Sequence, residues 1–143
     1  MKNTIICDID QTIANNQHRQ HYLDKKKNWD GFFNALNEDK PIWQIINLLI
    51  SEQVTNKKII FITGRHEKYR KQTKHWLEQY FNFSIELFMR ANNDKRNKVI
   101  VKKELFRNNL EAKNILYVID DDDDLLSMWK SLGLECVDAK KFI

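Results

Sequence analysis

The sequence predicts an α/β domain built around a central parallel sheet with helices on both of its faces. Short apolar runs rich in Ile and Val alternate with longer stretches whose apolar residues recur at helical spacing. The runs carry apolar residues at consecutive positions, which is typical of strands buried on both faces. A chain of 143 residues is long enough for one such domain, so we expect a single three-layer domain over residues 1–143.

Five strands and four main helices are predicted in alternation. The strands are expected at residues 4–9, 58–62, 85–88, 115–119 and 135–137. The helices are expected at residues 41–53, 67–80 and 99–109 and over a last segment that contains Leu125, Leu126, Trp129 and Leu132. Pro41 suits the first position of its helix, because proline has no N–H to leave unsatisfied there, and Gly133 suits the C-cap of the last helix.

The composition excludes several classes of protein. Three Gly and one Pro in 143 residues argue against a disordered or low-complexity arm. Cys7 and Cys136 lie in apolar segments, so neither a disulfide framework nor a paired-cysteine zinc site is expected. No signal peptide or membrane-spanning run is found, and the cytoplasm is the expected location. The net charge of +4 favours anionic partners only mildly, because most surface lysines are simply solvated.

Polar residues follow three of the predicted strands directly. Asp8 and Asp10 follow the first, residues 63–65 (Thr-Gly-Arg) follow the second, and residues 120–121 (Asp-Asp) follow the fourth. The carboxyl ends of parallel strands meet at one edge of a sheet, so these groups should converge. One aspartate alone is more often a helix cap or a solvated loop residue, but several carboxylates together repel unless a cation neutralises them. Oxygen ligands without His or Cys predict Mg²⁺.

This constellation permits phosphoryl transfer. A carboxylate can attack phosphorus and form an aspartyl-phosphate, which divides hydrolysis into two easier steps. A second carboxyl two residues on can protonate the leaving oxygen and then activate water. The charge on the phosphoryl oxygens needs fixed donors, for which Thr63 and a lysine are candidates, although Thr63 is equally compatible with a turn or cap. We expect a magnesium-dependent phosphatase.

The motifs resemble those of the haloacid dehalogenase superfamily. The resemblance rests on Asp8-Ile-Asp10-Gln-Thr12, on the strand ending in Thr63, on Lys102 before the fourth strand and on the Asp pair after it. Longer segments are similar to the 3′-phosphatase domain of bacteriophage polynucleotide kinase/phosphatase over nearly the whole chain. These segments are Arg19 with Tyr22 and residues 63–65, 73–77, 101–106, 119–121 and 128–136.

The resemblance implies a Rossmann-like fold with a minimal cap, inserted at approximately residues 14–40, and a role for each site residue. Asp8 would be the nucleophile, and Asp10 the general acid/base whose main-chain carbonyl also ligates Mg²⁺. Thr63 and Lys102 would hold the transferred phosphoryl group. The remaining implied residues are Asp120 and Asp121 for the metal and Arg19, Gly64, Arg65 and Arg96 for the substrate. For the arginines, and for Arg96 most of all, ion pairs with surface acids are the alternative.

Several positions depart from the family pattern. Gln11 replaces the usual Gly, Lys98 stands where the phage enzyme has an acid, and Asp122 stands where an arginine is expected. Asp124 has a spacing that some relatives use for metal, but it is equally placed to cap the last helix. No Gly-x-x-x-x-Gly-Lys-[Ser/Thr] motif occurs, so we expect a stand-alone phosphatase that has a separate kinase or ligase as a potential partner.

The predicted substrate is a phosphorylated DNA or RNA end, from which a 3′-phosphate is removed. A small cap leaves such a site open to large substrates, and phosphate contacts would supply much of the binding. The enzymatic alternative is a small-molecule phosphatase, such as a 5′(3′)-nucleotidase, with aromatics packing on one base. Those aromatics are Tyr22, Trp29, Phe32 and Phe33, although a place in the core is favoured for Trp29 and both phenylalanines.

Two further alternatives belong to other classes of protein. A signalling receiver domain would need an Asp at the end of a middle strand, and the strands ending at Ile62 and Phe88 offer none. A catalytically silent module that binds nucleic-acid ends would not need Asp8 and Asp10 intact.

Overall fold

A computed structural model describes residues 1–24 and 26–142. The strands are β1 (Thr4–Cys7), β2 (Ala14–Asn15), β3 (Lys40–Pro41), β4 (Lys58–His66), β5 (Glu86–Arg90), β6 (Ile115–Asp120) and β7 (Cys136–Asp138). The helices are α1 (Trp29–Asn34), α2 (Trp43–Val54), α3 (Arg70–Glu78), α4 (Lys98–Asn109) and α5 (Asp123–Ser131). Within the described ranges, no helix has both the length and the apolar character needed to cross a membrane.

Five of the strands form one parallel sheet in the order β5-β4-β1-β6-β7. The predicted parallel α/β architecture is therefore confirmed. In the central strand, Cys7 lies opposite Phe61 of β4 and Ile119 of β6. The chain that leaves β1 at Asp8 consequently emerges between the ends of its two neighbours, which is where Thr63 and Asp120 lie.

Helices cover both faces of the sheet, as predicted. Alternate residues of β1 point to opposite faces, so Ile5 and Cys7 join one hydrophobic core and Ile6 joins the other. The first core is completed by residues of α2 and α3, including the fully buried Ile45, Leu49 and Leu77. The second core is completed by Phe106 of α4 and by Leu125, Met128 and Trp129 of α5. Burial on both faces explains why the central strands are apolar at every position.

The segment between β1 and α2 is the predicted cap insertion, and its ends are tied together. β2 and β3 pair as an antiparallel ribbon in which Pro41 lies opposite Ala14. The prediction that a helix begins at Pro41 is therefore wrong: the proline belongs to β3, and α2 begins at Trp43. The N–H of Ile42 donates to the carbonyl of Ile13, which fixes the chain in an extended conformation just before the helix.

β4 extends further than the sequence predicted. The apolar run ends at Ile62, but the strand continues to His66, with an irregularity between Thr63 and His66 where it pairs with β5. Pairing with Met89 and Arg90 of β5 keeps this polar segment extended. Thr63, Gly64 and Arg65 are thus held by the sheet itself, rather than by a loop after it.

Candidate active site

Asp8 lies at the centre of the carboxyl edge of the sheet and is 7% exposed. Both of its carboxylate oxygens have a donor: the Lys102 ammonium lies 2.5 Å from one, and the Thr12 hydroxyl lies 3.0 Å from the other. Burial and the nearby Asp120 raise the pKa of Asp8 well above its ordinary value, against the opposing effect of Lys102. The predicted nucleophile is therefore fixed in orientation and lies among negatively charged carboxylates.

Three carboxylates converge at this edge. Oxygens of Asp8, Asp120 and Asp121 lie within 4.8 Å of one another. Asp120 is buried and accepts from the Trp129 indole N–H at 3.1 Å, while the Lys102 ammonium lies 3.5 Å from it. Burial raises the pKa of Asp121, and the charge of Asp120 adds to that effect. Burial alone would lower the pKa of Lys102, but Asp120 and Asp8 raise it above its ordinary value, so Lys102 stays charged.

This group of carboxylates fits Mg²⁺. Three acids face one lysine, which leaves two negative charges in excess when all are ionised, and this equals the charge of one divalent cation. All donors are hard oxygen atoms, the type that Mg²⁺ prefers. The predicted ligands Asp8, Asp120 and Asp121 are thus brought together, whereas the carboxylate of Asp10 faces away toward two arginines.

Those arginines are Arg19 and Arg65, and both are almost fully buried. Arg65 donates to both carboxylate oxygens of Asp10, at 2.8 and 3.1 Å, and Arg19 donates to one of them at 2.9 Å. Burial raises the pKa of Asp10, but Arg65 and Arg19 outweigh it and hold that pKa below its ordinary value. Asp10 is therefore oriented and ionised by the two residues that were expected to contact substrate phosphate.

Asp39 completes this network, and the sequence reasoning missed it. Its buried carboxylate accepts from Arg19 at 2.8 and 2.9 Å and from Arg65 at 3.1 Å. The Trp76 indole N–H donates to the main-chain carbonyl of Asp39 at 2.9 Å. The only sequence signal was one acid near the end of the cap insertion, which looks the same as a surface acid.

Thr63 and Gly64 directly precede Arg65, the partner of Asp10, on β4. The fully buried Thr63 hydroxyl accepts from the Arg65 N–H at 3.1 Å. The Gly64 carbonyl accepts from Arg90 at 3.0 Å, and a side-chain carbon at Gly64 would meet Arg90 at an ordinary contact distance of 3.7 Å. The packing around Gly64 therefore does not require glycine at this position.

Comparison with known proteins decides the family. A family model described as the polynucleotide kinase PNKP phosphatase domain matches residues 2–141. The chain belongs to this family. It is therefore a haloacid dehalogenase-type phosphatase, in agreement with the motifs around Asp8 and Asp120.

Solved structures agree with the assignment. The chain is similar to one from the structure of a Pnkp1/Rnl/Hen1 RNA repair complex, with a TM-score of 0.81 and 28% identity over 94% of this chain and 41% of that one. A second Pnkp1/Rnl/Hen1 structure gives a TM-score of 0.77 and 27% identity over 96% of this chain and 46% of that one. The Class C acid phosphatase of Bacillus anthracis shares the fold, with a TM-score of 0.63 at 18% identity over 96% of this chain and 65% of that one.

A curated relative is much longer than this chain. It is a protein of Autographa californica nuclear polyhedrosis virus named as a bifunctional polynucleotide kinase/RNA ligase, 29% identical over 136 residues. The match covers 93% of this chain but only 18% of the viral protein. The phosphatase thus spans about a fifth of that relative and less than half of the RNA repair proteins.

Two departures from the family pattern compensate each other. Lys98, which stands in place of an acid, forms an ion pair with Asp122, which stands in place of an arginine. The two charges have in effect exchanged positions. Asp122 also caps α5, because its carboxylate accepts from the N–H groups of Asp124 and Leu125. Asp124 is exposed and lies outside the carboxylate group, in the first turn of α5.

The third departure, Gln11, lies in the turn between Asp10 and Thr12. Its φ of 62° is in the left-handed region, which favours glycine and costs other residues about 1 kcal/mol or more. Its side-chain oxygen accepts from the Asn16 N–H at 2.9 Å, and its own N–H donates to the Ala14 carbonyl at 2.8 Å. The turn therefore holds a side chain in a conformation that the family's glycine adopts freely.

A cleft of about 600 Å³ opens beside Gly64, between α1 and the loop that precedes α4. It is lined by Trp29, Asp30, Phe33, Gly64, His66, Lys68, Tyr69, Arg90, Asp94, Lys95 and Arg96. Arg96 thus lies on the cleft wall, where it pairs with Asp94 at 2.7 Å and Glu104 at 2.8 Å. In the part of the chain that the structure describes, it forms no hydrogen bond or ion pair with the carboxylate group of Asp8, Asp120 and Asp121. The predicted core position is correct for Phe32, which is buried, but wrong for Trp29, which is 50% exposed. Phe33 is half-buried on the cleft wall.

Proposed function

We propose that the chain is a magnesium-dependent phosphomonoesterase that acts through an aspartyl-phosphate and removes 3′-phosphates from polynucleotide ends. One observation carries the proposal: a buried carboxylate, Asp8, is held by Lys102 within a group of acids that has two negative charges in excess. Such a group is suited to bind a cation and a phosphate together. The segment at approximately residues 14–40 would act as the minimal cap over this site.

In the first half of the reaction, a carboxylate oxygen of Asp8 would attack the phosphorus, and the bond from phosphorus to the 3′-oxygen would break. Asp10, which is ionised in the chain without substrate, would take up a proton when the negatively charged phosphate binds, and would give that proton to the leaving oxygen. In the second half, ionised Asp10 would take a proton from water, whose oxygen attacks the same phosphorus and releases free Asp8 and inorganic phosphate. The lowered pKa of Asp10 suits the second half, in which it must start as the base.

The remaining groups would bind charge and fix geometry. Lys102 and Thr63 would bind the phosphoryl oxygens, whose charge grows in the transition state. Asp8, Asp120, Asp121 and the main-chain carbonyl of Asp10 would hold Mg²⁺, which shields the nucleophile from the charge of the incoming phosphate. Arg19 and Arg65 are proposed as positioning residues for Asp10, because their contacts are with Asp10 and Asp39 rather than with the cleft.

Nucleic-acid ends are the favoured substrate because family, neighbours and shape agree. The family and the viral relative are polynucleotide-processing proteins by name, and two neighbours come from Pnkp1/Rnl/Hen1 structures. The cleft beside Gly64 has a volume of about 600 Å³ and includes the exposed residues Trp29 and Lys95 in its lining. A ligase, in the same polypeptide or in a partner, would then use the 3′-hydroxyl that this reaction exposes, and a kinase would supply the 5′-phosphate to which it is joined.

The test is phosphate release in Mg²⁺ from 3′-phosphorylated DNA, 3′-phosphorylated RNA, 5′-phosphorylated oligomers and free nucleotides. We expect 3′-phosphorylated oligomers to be the best substrates and Asp8→Asn to lose at least about a thousandfold in kcat. Rapid turnover of free nucleotides with untouched oligomers would replace the proposal by a nucleotidase. Binding without any release of phosphate would indicate an end-binding module.

A further inference from the structure

The cleft beside Gly64 is not used by the chemistry of the carboxylate edge. We propose that it binds the bases next to the phosphorylated end of the substrate strand, and that Trp29 is the residue on which a base stacks. The inference rests on the proposed function and deepens it, since it assigns the part of the strand that lies outside the catalytic edge.

The cap side of the cleft is an aromatic wall. The rings of Trp29 and Phe33 are 23° from parallel with centroids 6.1 Å apart, and the rings of Phe33 and Tyr69 are 25° from parallel at 4.8 Å. Phe32 supports Trp29 from the core through an edge contact at 5.9 Å. The indole is thus held in place on a buried ring and yet leaves half of its surface open, which is how a stacking platform for bases is built.

The wall is rigid because α1 packs closely on the turn before it. A side-chain carbon at Gly31 would lie 2.7 Å from the Tyr22 ring and 2.7 Å from the Asn28 amide, so only glycine permits this approach. Asn28 also caps α1 by accepting from the Gly31 N–H at 2.9 Å. Trp29, the first residue of this helix, consequently has a fixed position relative to the rest of the cap.

The opposite side of the cleft is basic. It carries the basic side chains of Arg90, Lys95 and Arg96 against the acid Asp94. The other charged pair of the cleft, Lys68 with Asp30, lies on the aromatic side, where Lys68 is over the Tyr69 ring. Arg90 binds the carbonyls of Gly64, Asp94 and Arg96, so the loop that carries Lys95 is held against the cleft. A strand lying there would have its bases on the aromatic wall and its backbone phosphates near cations, the combination used for single strands.

The cleft and the catalytic edge meet at Gly64 of β4. Gly64 lines the cleft, and the next residue of β4, Arg65, binds Asp10. A 3′-phosphate placed at Asp8 would therefore leave the preceding nucleotides along the Trp29 wall. The volume of about 600 Å³ lies within the range of pockets that enclose small ligands.

The experiment compares Trp29→Ala with Trp43→Ala, because the two tryptophans are equally exposed, at 50% and 51%, and Trp43 packs on Tyr80 away from the cleft. Each variant is assayed on a 3′-phosphorylated oligonucleotide and on the same strand with its last two positions abasic. We expect Trp29→Ala to raise KM for the normal strand about tenfold, with kcat preserved. The abasic strand should show the same loss with the wild-type chain and no further loss with Trp29→Ala, and Trp29→Tyr should restore most of the affinity.

Equal behaviour of the two alanine variants would overturn the inference, as would an equal loss by Trp29→Ala on normal and abasic strands. A binding measurement that does not depend on turnover separates this result from the proposed function. In the Asp8→Asn background, anisotropy of a labelled 3′-phosphorylated oligonucleotide should show about tenfold weaker binding when Trp29→Ala is added and no change with Trp43→Ala. If Asp8→Asn leaves phosphate release intact, the proposed function fails while this arm still decides the cleft.

Discussion

Asp8 and Asp10 are two residues apart, and yet their carboxylates belong to regions with opposite electrostatics. Asp10 shares the arginine side with Asp39, where two carboxylates meet the two guanidiniums of Arg19 and Arg65. Asp8 belongs to the metal side, where three carboxylates meet the single ammonium of Lys102. The pKa of Asp10 is lowered and that of Asp8 is raised, although burial raises the pKa of both groups.

The difference in charge balance distinguishes charges that stabilise the fold from charges that are available to bind a ligand. The arginine side is balanced within the chain, so its geometry is complete before substrate arrives and can keep Asp10 in one orientation. The metal side keeps an excess of negative charge that folding alone does not neutralise. We therefore expect the arginine side to respond to mutation through stability, and the metal side to respond through ligand binding.

Breaking the balance of the arginine side should give the largest loss of stability. Asp39→Ala leaves two buried guanidiniums with one carboxylate, and losing one partner of a buried ion-pair network costs about 3–5 kcal/mol. Urea unfolding measures the effect, and Ala in place of the exposed neighbour Glu38 is the control, with a change of less than about 0.5 kcal/mol. A similarly small change in Asp39→Ala would show that the network does not contribute to folding.

Filling the metal side should stabilise the chain without any mutation. Mg²⁺ at one hundred times its Kd should add about 2.7 kcal/mol to the free energy of unfolding, and EDTA should remove both this gain and the activity. Asp121→Asn should weaken the response because it removes a ligand. Asp124→Asn, outside the carboxylate group, should keep the response, and thermal unfolding with and without Mg²⁺ tells the two apart. A normal Mg²⁺ response in Asp121→Asn would contradict the assignment.

The two sides should depend on pH with opposite signs. Asp10 has a lowered pKa, so its contribution to stability is present above the ordinary carboxyl pKa and is lost as the pH falls through the lowered value. Asp8 has a raised pKa, so its contribution is complete below the ordinary carboxyl pKa and is lost as the pH rises through the raised value. In Mg²⁺-free buffer, Asp8→Asn should therefore reduce the loss of stability that occurs as the pH rises above the ordinary carboxyl pKa. Asp10→Asn should reduce the loss of stability that occurs as the pH falls below the ordinary carboxyl pKa. Urea unfolding as a function of pH measures both, and identical profiles for the two variants would refute the contrast.

The turn that separates the two sides should give the smallest effect. Gln11→Gly removes the left-handed strain of a non-glycine residue but also removes the side-chain bond to Asn16 and adds backbone entropy to the unfolded chain. These contributions nearly cancel, so we expect a change within about 1 kcal/mol in urea unfolding. Gln11→Val, which gains nothing and suffers the full conformational cost, should be clearly less stable. Equal stability of the two variants would show that the turn tolerates either conformation.

The sheet could be predicted from the sequence because its strands are buried on both faces and therefore apolar at consecutive positions. The carboxylate group could also be predicted, since strand ends and motif spacing place Asp8 and Asp120 at one edge. Asp39 could not, because its burial depends on tertiary contacts with two arginines from distant segments. The predicted helix start at Pro41 is wrong for the same reason, because the conformation of this residue also depends on a distant contact. Pairing with Ala14 overrides the local preference of proline for the first position of a helix.

The central position of β1 also has a kinetic consequence. Thr4 pairs with Lys58 on one side and with Ile115 on the other, so the strand before Asp8 is held by partners from the middle and the end of the chain. Contacts between such distant segments form late and slowly, because a large loop must close before they bring any gain. In a partly folded chain in which β6 has not yet paired with β1, Asp8 and Asp10 are in place but Asp120 has not reached the site. Recovery of phosphatase activity during refolding should therefore coincide with the last folding phase, which makes turnover a stricter measure of complete folding than helical content.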